Sequence, residues 1–547
     1  MTSTVQSINF SDLGPTGKYW LGAFDPNSPI HRFLPLGPLD SISLSEERNQ
    51  YWRDRTTDRK ILVEGIGNSN LPLSSTQSAA LERLNDPSSL CVVTGQQPGL
   101  AGGPLYTFNK ILSAVVFAKR LESEWDRPVI PILWDGGEDH DYEEINHLDW
   151  LSFQGGPVRF EIDRTVEGDR PAYTLPFDSS QLDFLIEFIG SVHPPTDYRQ
   201  SLEEFLQEIQ GQSKTWTDFF DILWLKIFSN HPLLVFRPWE PFAREMAHPI
   251  FAEEINRPEA FHSEIAEASQ ELEALDFKPQ IHKKEGLCSF FYWDGGERRS
   301  VVHEEGTFYI QGTDQKFKKA DLLDELKNNP TAFSPSAVLR PLVQDAILPV
   351  AGSVLGPSEI AYHAQIGGMY ERHRIPRPFI LPRFSLSLVF PKQVAHLGEL
   401  GLAWPDLSRD EAELMKGIVE SEFLREGLEA IENAKLAQTE TLIKLTELAS
   451  QQSKGLIDPL NKQFGKVEKT LSQVEDLLRR DEMKRQESLR QRIVGLKEAF
   501  LPEGDLQERV YGILPFLARY GQEWIDPLVE TADQWDGKRH YVYRLGG

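Results

Sequence analysis

The chain has 547 residues, and 57 lysines and arginines stand against 83 aspartates and glutamates, for a formal net charge of −26. That balance argues against a nucleic-acid partner, since binding one takes clustered Lys and Arg to neutralise phosphates. Apolar residues at 40% and charged residues at 26% indicate folded domains, more than one at this length, and no apolar run nears the roughly 20 residues that span a bilayer.

In chain order, residues 1–150 are expected to hold an N-terminal extension, with one helix around 45–56, followed by the first half of an α/β core. Residues 90–94 form a short apolar, β-branched run expected of a strand buried on both faces. Four glycines and two prolines interrupt 95–104, which should therefore be irregular. Phe108, Ile111, Leu112, Val115, Val116 and Leu121 recur at helical spacing, Pro128 stops the helix, and 129–134 makes a second strand. Such a βαβ unit is almost always a right-handed crossover between parallel strands. An inserted α/β connecting region is expected over 151–335, with strand-like runs at 158–162, 287–293, 300–303 and 307–311 and helices at 182–189, 202–209 and 219–228. Core patterning resumes over 336–405, with 379–381 as a strand. Residues 406–503 read as a coiled-coil arm: Leu460, Phe464, Val467, Leu471, Val474 and Leu478 keep an unbroken 4-3 spacing. Gly455, Asp458 and Pro459 mark a hairpin turn between antiparallel helices. Apolar positions beyond what one hairpin covers point to a homodimer through the arm. The segment 504–547, with alternating residues at 541–545, should pack back on the core as a strand.

The cysteines, Cys91 and Cys288, are too few and too far apart for a disulfide framework or a Cys-rich zinc site. Residues 1–10 have neither the basic start nor the apolar stretch of a signal peptide, so a reducing cytoplasm is the expected compartment.

Ligands on parallel α/β sheets sit at the carboxyl ends of the strands. Both the glycine-rich loop and the Glu138, Asp139, His140, Asp141 loop should emerge there. The glycine loop is neither a Walker A loop, which needs Gly-Lys-Ser/Thr at the helix start, nor a G-x-G-x-x-G fingerprint. It remains either an ordinary strand-to-helix turn or an anion cradle at a helix N-terminus.

Three ordered blocks carry a family resemblance. The first is Thr94-Gly95-Gln96-Gln97 with Gly99-Leu100, then Gly103-Pro104-Leu105-Tyr106-Thr107 and Lys110. The second is Trp134 with Glu138-Asp139-His140-Asp141, Glu144, Ile145 and Asn146. The third runs from Leu339-Arg340-Pro341 and Gln344 through Gly356-Pro357-Ser358-Glu359-Ile360-Ala361-Tyr362 and Gln365 to Leu381-Pro382-Arg383. Together they resemble the bacillithiol biosynthesis cysteine-adding enzymes, the bacillithiol synthase family of cysteine ligases. The resemblance implies a Rossmann-like, nucleotidyltransferase-type core split by the insertion. It also implies joining of cysteine, through its carboxyl, to the glucosamine amine of glucosaminyl malate, the last step of bacillithiol biosynthesis.

A carboxylate does not acylate an amine unaided, so ATP is the expected activator through a cysteinyl adenylate, with ATP or ADP bound by Thr94, Gly95, Gln96, Gln97, Gly99, Gly102, Gly103, Thr107 and Asp139. His140 or Asp141 is the expected base and Lys110 an anion-stabilising group. Glu138, Asn146, Arg340, Glu359, Tyr362, Gln365 and Arg383 are the substrate-binding candidates, the two arginines as a clamp for the malate carboxylates. Each has a plainer alternative: a solvated Lys110, a satisfied His140, a Glu359 that merely caps a helix. The related class I synthetases carry a His-x-Gly-His turn and a Lys-Met-Ser-Lys-Ser loop, and this chain has neither. No metal is expected. A nucleotide-binding coiled-coil dimer without catalysis and a metal-dependent hydrolase centred on 138–141 stay open as alternatives.

Overall fold

Leu90–Gln96 (β1), Val129–Asp135 (β2), Leu234–Phe236 (β3), Val350–Leu355 (β4) and Phe379–Pro382 (β5) form one sheet in the order β5-β4-β1-β2-β3 in the computed structural model. Every pair is parallel. The structure describes residues 5–13, 17–25, 27–35, 59–152, 156–163, 168–282, 284–418 and 422–546. The helix expected around 45–56 lies outside them.

This is the doubly wound order of nucleotide-binding sheets, in which the order of strand addition reverses between β1 and β4. The β1 and β2 runs are apolar up to Val93 and Trp134 because both faces are covered there. Cys91, Val93, Ile130, Ile132 and Trp134 pack in one cluster with Leu62, Ile66, Ala80 and Leu84 from Arg59–Gly67 and Ser75–Leu84. Leu105–Trp125 (α1), buried along most of its length, packs on β1 and β2 and supplies the crossover between them. A capping box fixes the start of Ser75–Leu84: Ser74 accepts from the Gln77 N–H and Gln77 accepts from the Ser74 N–H, as that motif requires.

Two expectations change here. The β1 strand runs on through Gly95 and Gln96, which pair with Trp134 and Asp135 of β2, so the irregular loop begins later than the glycines suggest. The region read as a pure insertion also supplies β3, the edge strand of the core sheet. Three residues followed by Arg237 and Pro238 are too short a run to show strand periodicity.

The remainder of that region holds the helices Ser179–Val192, Asp197–Gln210 and Trp216–Ile227 and a five-stranded antiparallel sheet, ordered Lys316–Lys318, Thr307–Ile310, Arg298–Glu304, Leu287–Trp293, Phe333–Pro335. The tail strand Arg539–Arg544 lies between Val5–Asn9, antiparallel to it, and Ser385–Val389, parallel to it.

The chain divides into two compact units, Met1–Pro391 with Asp505–Gly547, and Lys392–Gly504. In the second, Glu422–Gln452 and Ile457–Phe500 form an antiparallel hairpin. Lys435 pairs with Glu475 at 2.8 Å, and Gln438 donates to the Phe464 carbonyl at 2.7 Å. The longer helix, at 44 residues, extends about 66 Å. The turn is a 3-10 segment, Lys454–Leu456, and Leu456 takes the N-cap position expected of Asp458. The unit begins ahead of the heptads because the Trp404 ring packs, tilted by 37°, against Phe500 at the hairpin base, 4.9 Å between ring centres. Among the described residues no helix is long and apolar enough to cross a membrane.

Candidate active site

The strand order reverses between β1 and β4, and a cavity of about 530 Å³ opens beside their carboxyl ends. The first core half contributes Gly95, Gln96 and Gln97 from the end of β1, Lys110 from α1, and Glu138, Asp139 and His140 from the loop after β2 to its wall. The inserted sheet contributes Cys288, Phe290, Phe291, Arg298 and Ser300, and the second core half Ser336, Arg340, Glu359 and Tyr362.

Lys110 is not a solvated helix lysine. It lies in the second turn of α1, where its Nζ donates to the Gly95 carbonyl at 2.8 Å and meets Glu359 at 2.9 Å. Burial pushes its pKa down, and Glu359 opposes the shift. The same Glu359 oxygen accepts the Gly356 N–H at 2.8 Å, so this carboxylate both closes the start of Pro357–His363 and neutralises Lys110. Arg340, the first residue of Arg340–Ile347 (α2), donates from Nη1 to Gln344 at 2.9 Å and from Nη2 to the Tyr362 hydroxyl at 3.2 Å. A Cβ on Gly95 would stand 3.2 Å from Arg340 Nη1, so glycine at that position lets the guanidinium lie against the strand end.

In the acidic loop, Glu138 is buried in an ion pair with Arg244. Gln97 Nε2 donates to Asp139 at 2.9 Å and to Glu144 at 2.7 Å, which ties the loop to the end of β1. Burial raises the Glu144 pKa, with Asp139 and Asp141 adding to it. The His140 ring stands edge-on to Phe291 at 6.0 Å, with Nδ1 3.4 Å from Arg298 Nη1. Among the described residues no group of three or more His, Cys, Asp or Glu side chains is placed to hold a metal ion.

Several sequence candidates lie away from the cavity wall. Thr94 donates to the Val354 carbonyl at 3.3 Å inside the sheet. Gly99, Gly102 and Gly103 fold under Trp216–Ile227. Trp216 donates to the Pro98 carbonyl at 2.6 Å, and a Cβ on Gly102 would meet Leu223 and Trp224 at 3.0 Å. Gly102 and Gly103 have φ of +96° and +70°, so these glycines serve a tight buried turn, not an open cradle. Thr107 is fully buried beside Gly103. At the start of α1, the Leu105 N–H is already taken by the Tyr511 carbonyl at 2.7 Å. Asn146 holds the hairpin formed by His147–Leu151 and Pro157–Glu161, donating to Glu161 at 3.0 Å and the Ile162 carbonyl at 3.2 Å. Asp141 precedes the short helix Tyr142–Ile145 and does not line the cavity. Gln365 accepts the backbone N–H groups of Gln280 and Ile281 at 2.7 and 2.8 Å, positioning Ile281, which does line it. Arg383 is committed to Glu508 at 2.5 Å, and Glu508 is also held by Asn109 at 2.6 Å and the Leu386 N–H at 2.9 Å. The pairing of Arg340 with Arg383 as a clamp is therefore not what the geometry offers.

One group escaped the sequence reading. Arg298 lines the cavity from the inserted sheet, with its guanidinium 3.8 Å from the centre of the Phe291 ring. It belongs to none of the three motif blocks, and only the basic pair Arg298-Arg299 in a β-rich stretch marked it.

A doubly wound sheet with a cavity at its switch point, walled by apolar side chains and a few charged ones, followed by a long helical hairpin, defines a Rossmann-like protein with a coiled-coil arm. Residues 40–384 match the family described as "Bacillithiol biosynthesis BshC, N-terminal Rossmann-like domain", and residues 386–545 match the corresponding "C-terminal coiled-coil domain". The chain belongs to the BshC family of bacillithiol biosynthesis. Among its relatives, a Geobacillus kaustophilus protein is 27% identical over 509 residues, covering 91% of this chain and 92% of the relative. A Salinibacter ruber protein is 28% identical over 500 residues, 89% of each chain, and a Bacillus licheniformis protein is 28% identical over 476 residues, 86% of this chain and 88% of the relative. Each is named "Putative cysteine ligase BshC".

Proposed function

We propose that this chain is a cysteine ligase that joins the carboxyl of L-cysteine to the amine of glucosaminyl malate, completing bacillithiol. Family membership over nearly the whole chain supports the reaction. The observation that carries it to a site is the cavity at the switch point, where Lys110, Arg340 and the loop carrying Asp139 and His140 meet. ATP supplies the activation that amide formation needs. Lys110, held at the Gly95 carbonyl, is the cation placed to balance phosphate charge, since the Gly99, Gly102 and Gly103 turn is buried. His140, on the cavity wall, is the group in place to accept the proton of the attacking amine; Asp141 is not.

The arm supports a homodimer. Leu436, Ile443 and Leu448 on one helix and Val467, Val474 and Leu477 on the other are 40% to 60% exposed, an apolar surface the hairpin leaves uncovered. Cys91 and Cys288, both buried, suit a reducing cytoplasm. ATP use is tested by following nucleotide in a reaction containing cysteine and glucosaminyl malate. Release of AMP in step with the amide supports an adenylate; amide formed without any nucleotide overturns that route.

A further inference from the structure

Buried arginines in this chain are paired with acids. Arg237 meets Asp218 and Asp221 at 2.8 and 2.7 Å, and Arg372 meets Glu254 and Glu264 at 2.7 Å each. Arg383 meets Glu508 at 2.5 Å, and Arg244 meets Glu138. Arg298 is as deeply buried, 8% exposed, yet has only neutral acceptors among the described residues. Its Nε donates to Ser334 Oγ at 2.9 Å and its Nη2 to the Pro335 carbonyl at 2.7 Å, leaving Nη1 beside His140. Arg340 likewise bonds only to the neutral Gln344 and Tyr362, and the nearby Glu359 is engaged by Lys110. Both guanidinium groups line the same cavity.

Burying a cation without an acid in contact is costly, and a bound anion would offset that cost. Asp139 acts on Arg298, and Glu359 on Arg340, only through space. Burial lowers the Arg298 pKa only to about 10, so the group stays charged at neutral pH. We propose that Arg298 and Arg340 together bind the two carboxylates of the acceptor substrate, so that the inserted sheet decides which amine is acylated. This rests on the ligase reading for the identity of the acceptor. Arg298 approaches from the inserted sheet, among Phe290 and Phe291, and not from the carboxyl ends of β1 and β4, where this fold takes phosphates. Its Nε and Nη2 are held rigidly, which preorganises the planar fork that suits a carboxylate.

The test is calorimetric binding to the full chain of glucosaminyl malate, methyl glucosaminide, L-malate and ADP, with Arg298→Gln, Arg298→Lys and Arg340→Gln variants checked for fold by circular dichroism. The unaltered protein should bind glucosaminyl malate at least about tenfold more tightly than methyl glucosaminide, which keeps the amine but lacks both carboxylates. Arg298→Gln should weaken glucosaminyl malate about ten- to a hundredfold while ADP changes less than about twofold, and Arg298→Lys should restore only part of the loss. Unchanged acceptor affinity in Arg298→Gln, or equal weakening of ADP and acceptor, overturns the clamp. Should Arg298→Gln fail to fold, the unaltered protein still decides: equal affinity for the malate glycoside and the methyl glycoside overturns it. If L-malate binding depends on both arginines but no amide ever forms, the clamp stands and the ligase reading falls.

Discussion

Lys110 Nζ lies 2.9 Å from Glu359, a salt bridge that joins the two halves of the core across the point where the strand order reverses. The lysine comes from the crossover helix of the first half and the glutamate from the helix Pro357–His363 that follows β4. Both side chains are largely buried, at 9% and 19% exposure. Removing one partner of such a pair strands the other charge. Lys110→Met should therefore cost about 3 kcal/mol in urea denaturation and abolish activity. Adding Glu359→Gln should recover part of the stability but none of the activity. Additive losses in the double variant would contradict coupling of the pair.

Arg383 has a different role from Arg340. Its side chain and that of Glu508 are 9% and 0% exposed, and Glu508 also anchors Asn109 and Leu386. Arg383→Met should destabilise the protein by about 3–5 kcal/mol. At a temperature where it remains folded, its Michaelis constants should match those of the unaltered enzyme. A selective rise for glucosaminyl malate would return Arg383 to the substrate site.

Asp135 ends β2 with its carboxyl fully buried near Asp221. Burial first and Asp221 second raise its pKa well above the usual 3.8, while burial raises Asp221 to about 6 against the pull of Arg237. The folded state thus retains protons that the unfolded chain releases. That contribution to stability is full below about pH 4 and is lost as pH rises through about 6 and beyond. Asp135→Asn keeps the shape without the charge, so its melting temperature should exceed that of the unaltered protein at pH 8 and converge with it near pH 4. Parallel melting curves across that range would refute the assignment.

The arm's exposed stripe makes a prediction about assembly. Replacing Leu436, Ile443, Val467 and Val474 with glutamate removes apolar surface that the hairpin itself does not bury. Light scattering should then report a monomer with unchanged helix content. A mass unaffected by the four changes would contradict dimerisation through this face.

The core was legible where secondary structure and burial follow from local pattern. The apolar runs of β1 and β2, the helical spacing of α1 and the two long helices of the arm appear where the period placed them, while Val467 and Val474 of the 4-3 lattice stay exposed. The site was legible at Lys110, Arg340, Glu359 and Tyr362, whose motif blocks converge on the cavity. The glycine loop was misread because glycine content does not tell an open cradle from a tight turn. The covering residues Trp216, Leu223 and Trp224, more than a hundred positions away, made the difference. Arg298 was invisible for a related reason: its burial and its lack of an acidic partner exist only once the inserted sheet folds against the core.

The central claim is that amide formation between cysteine and glucosaminyl malate occurs in the cavity beside Gly95. Gly95→Val is the sharpest probe, because a Cβ there would stand 3.2 Å from Arg340 Nη1, and the larger side chain must displace the guanidinium from the strand end. Mass spectrometry of a reaction with cysteine, glucosaminyl malate and ATP should detect the ligated thiol with the unaltered protein. It should detect at least about a hundredfold less with folded Gly95→Val, a barrier change of about 2.7 kcal/mol. Absence of the ligated thiol with the unaltered protein, or equal yields from both, would contradict the account.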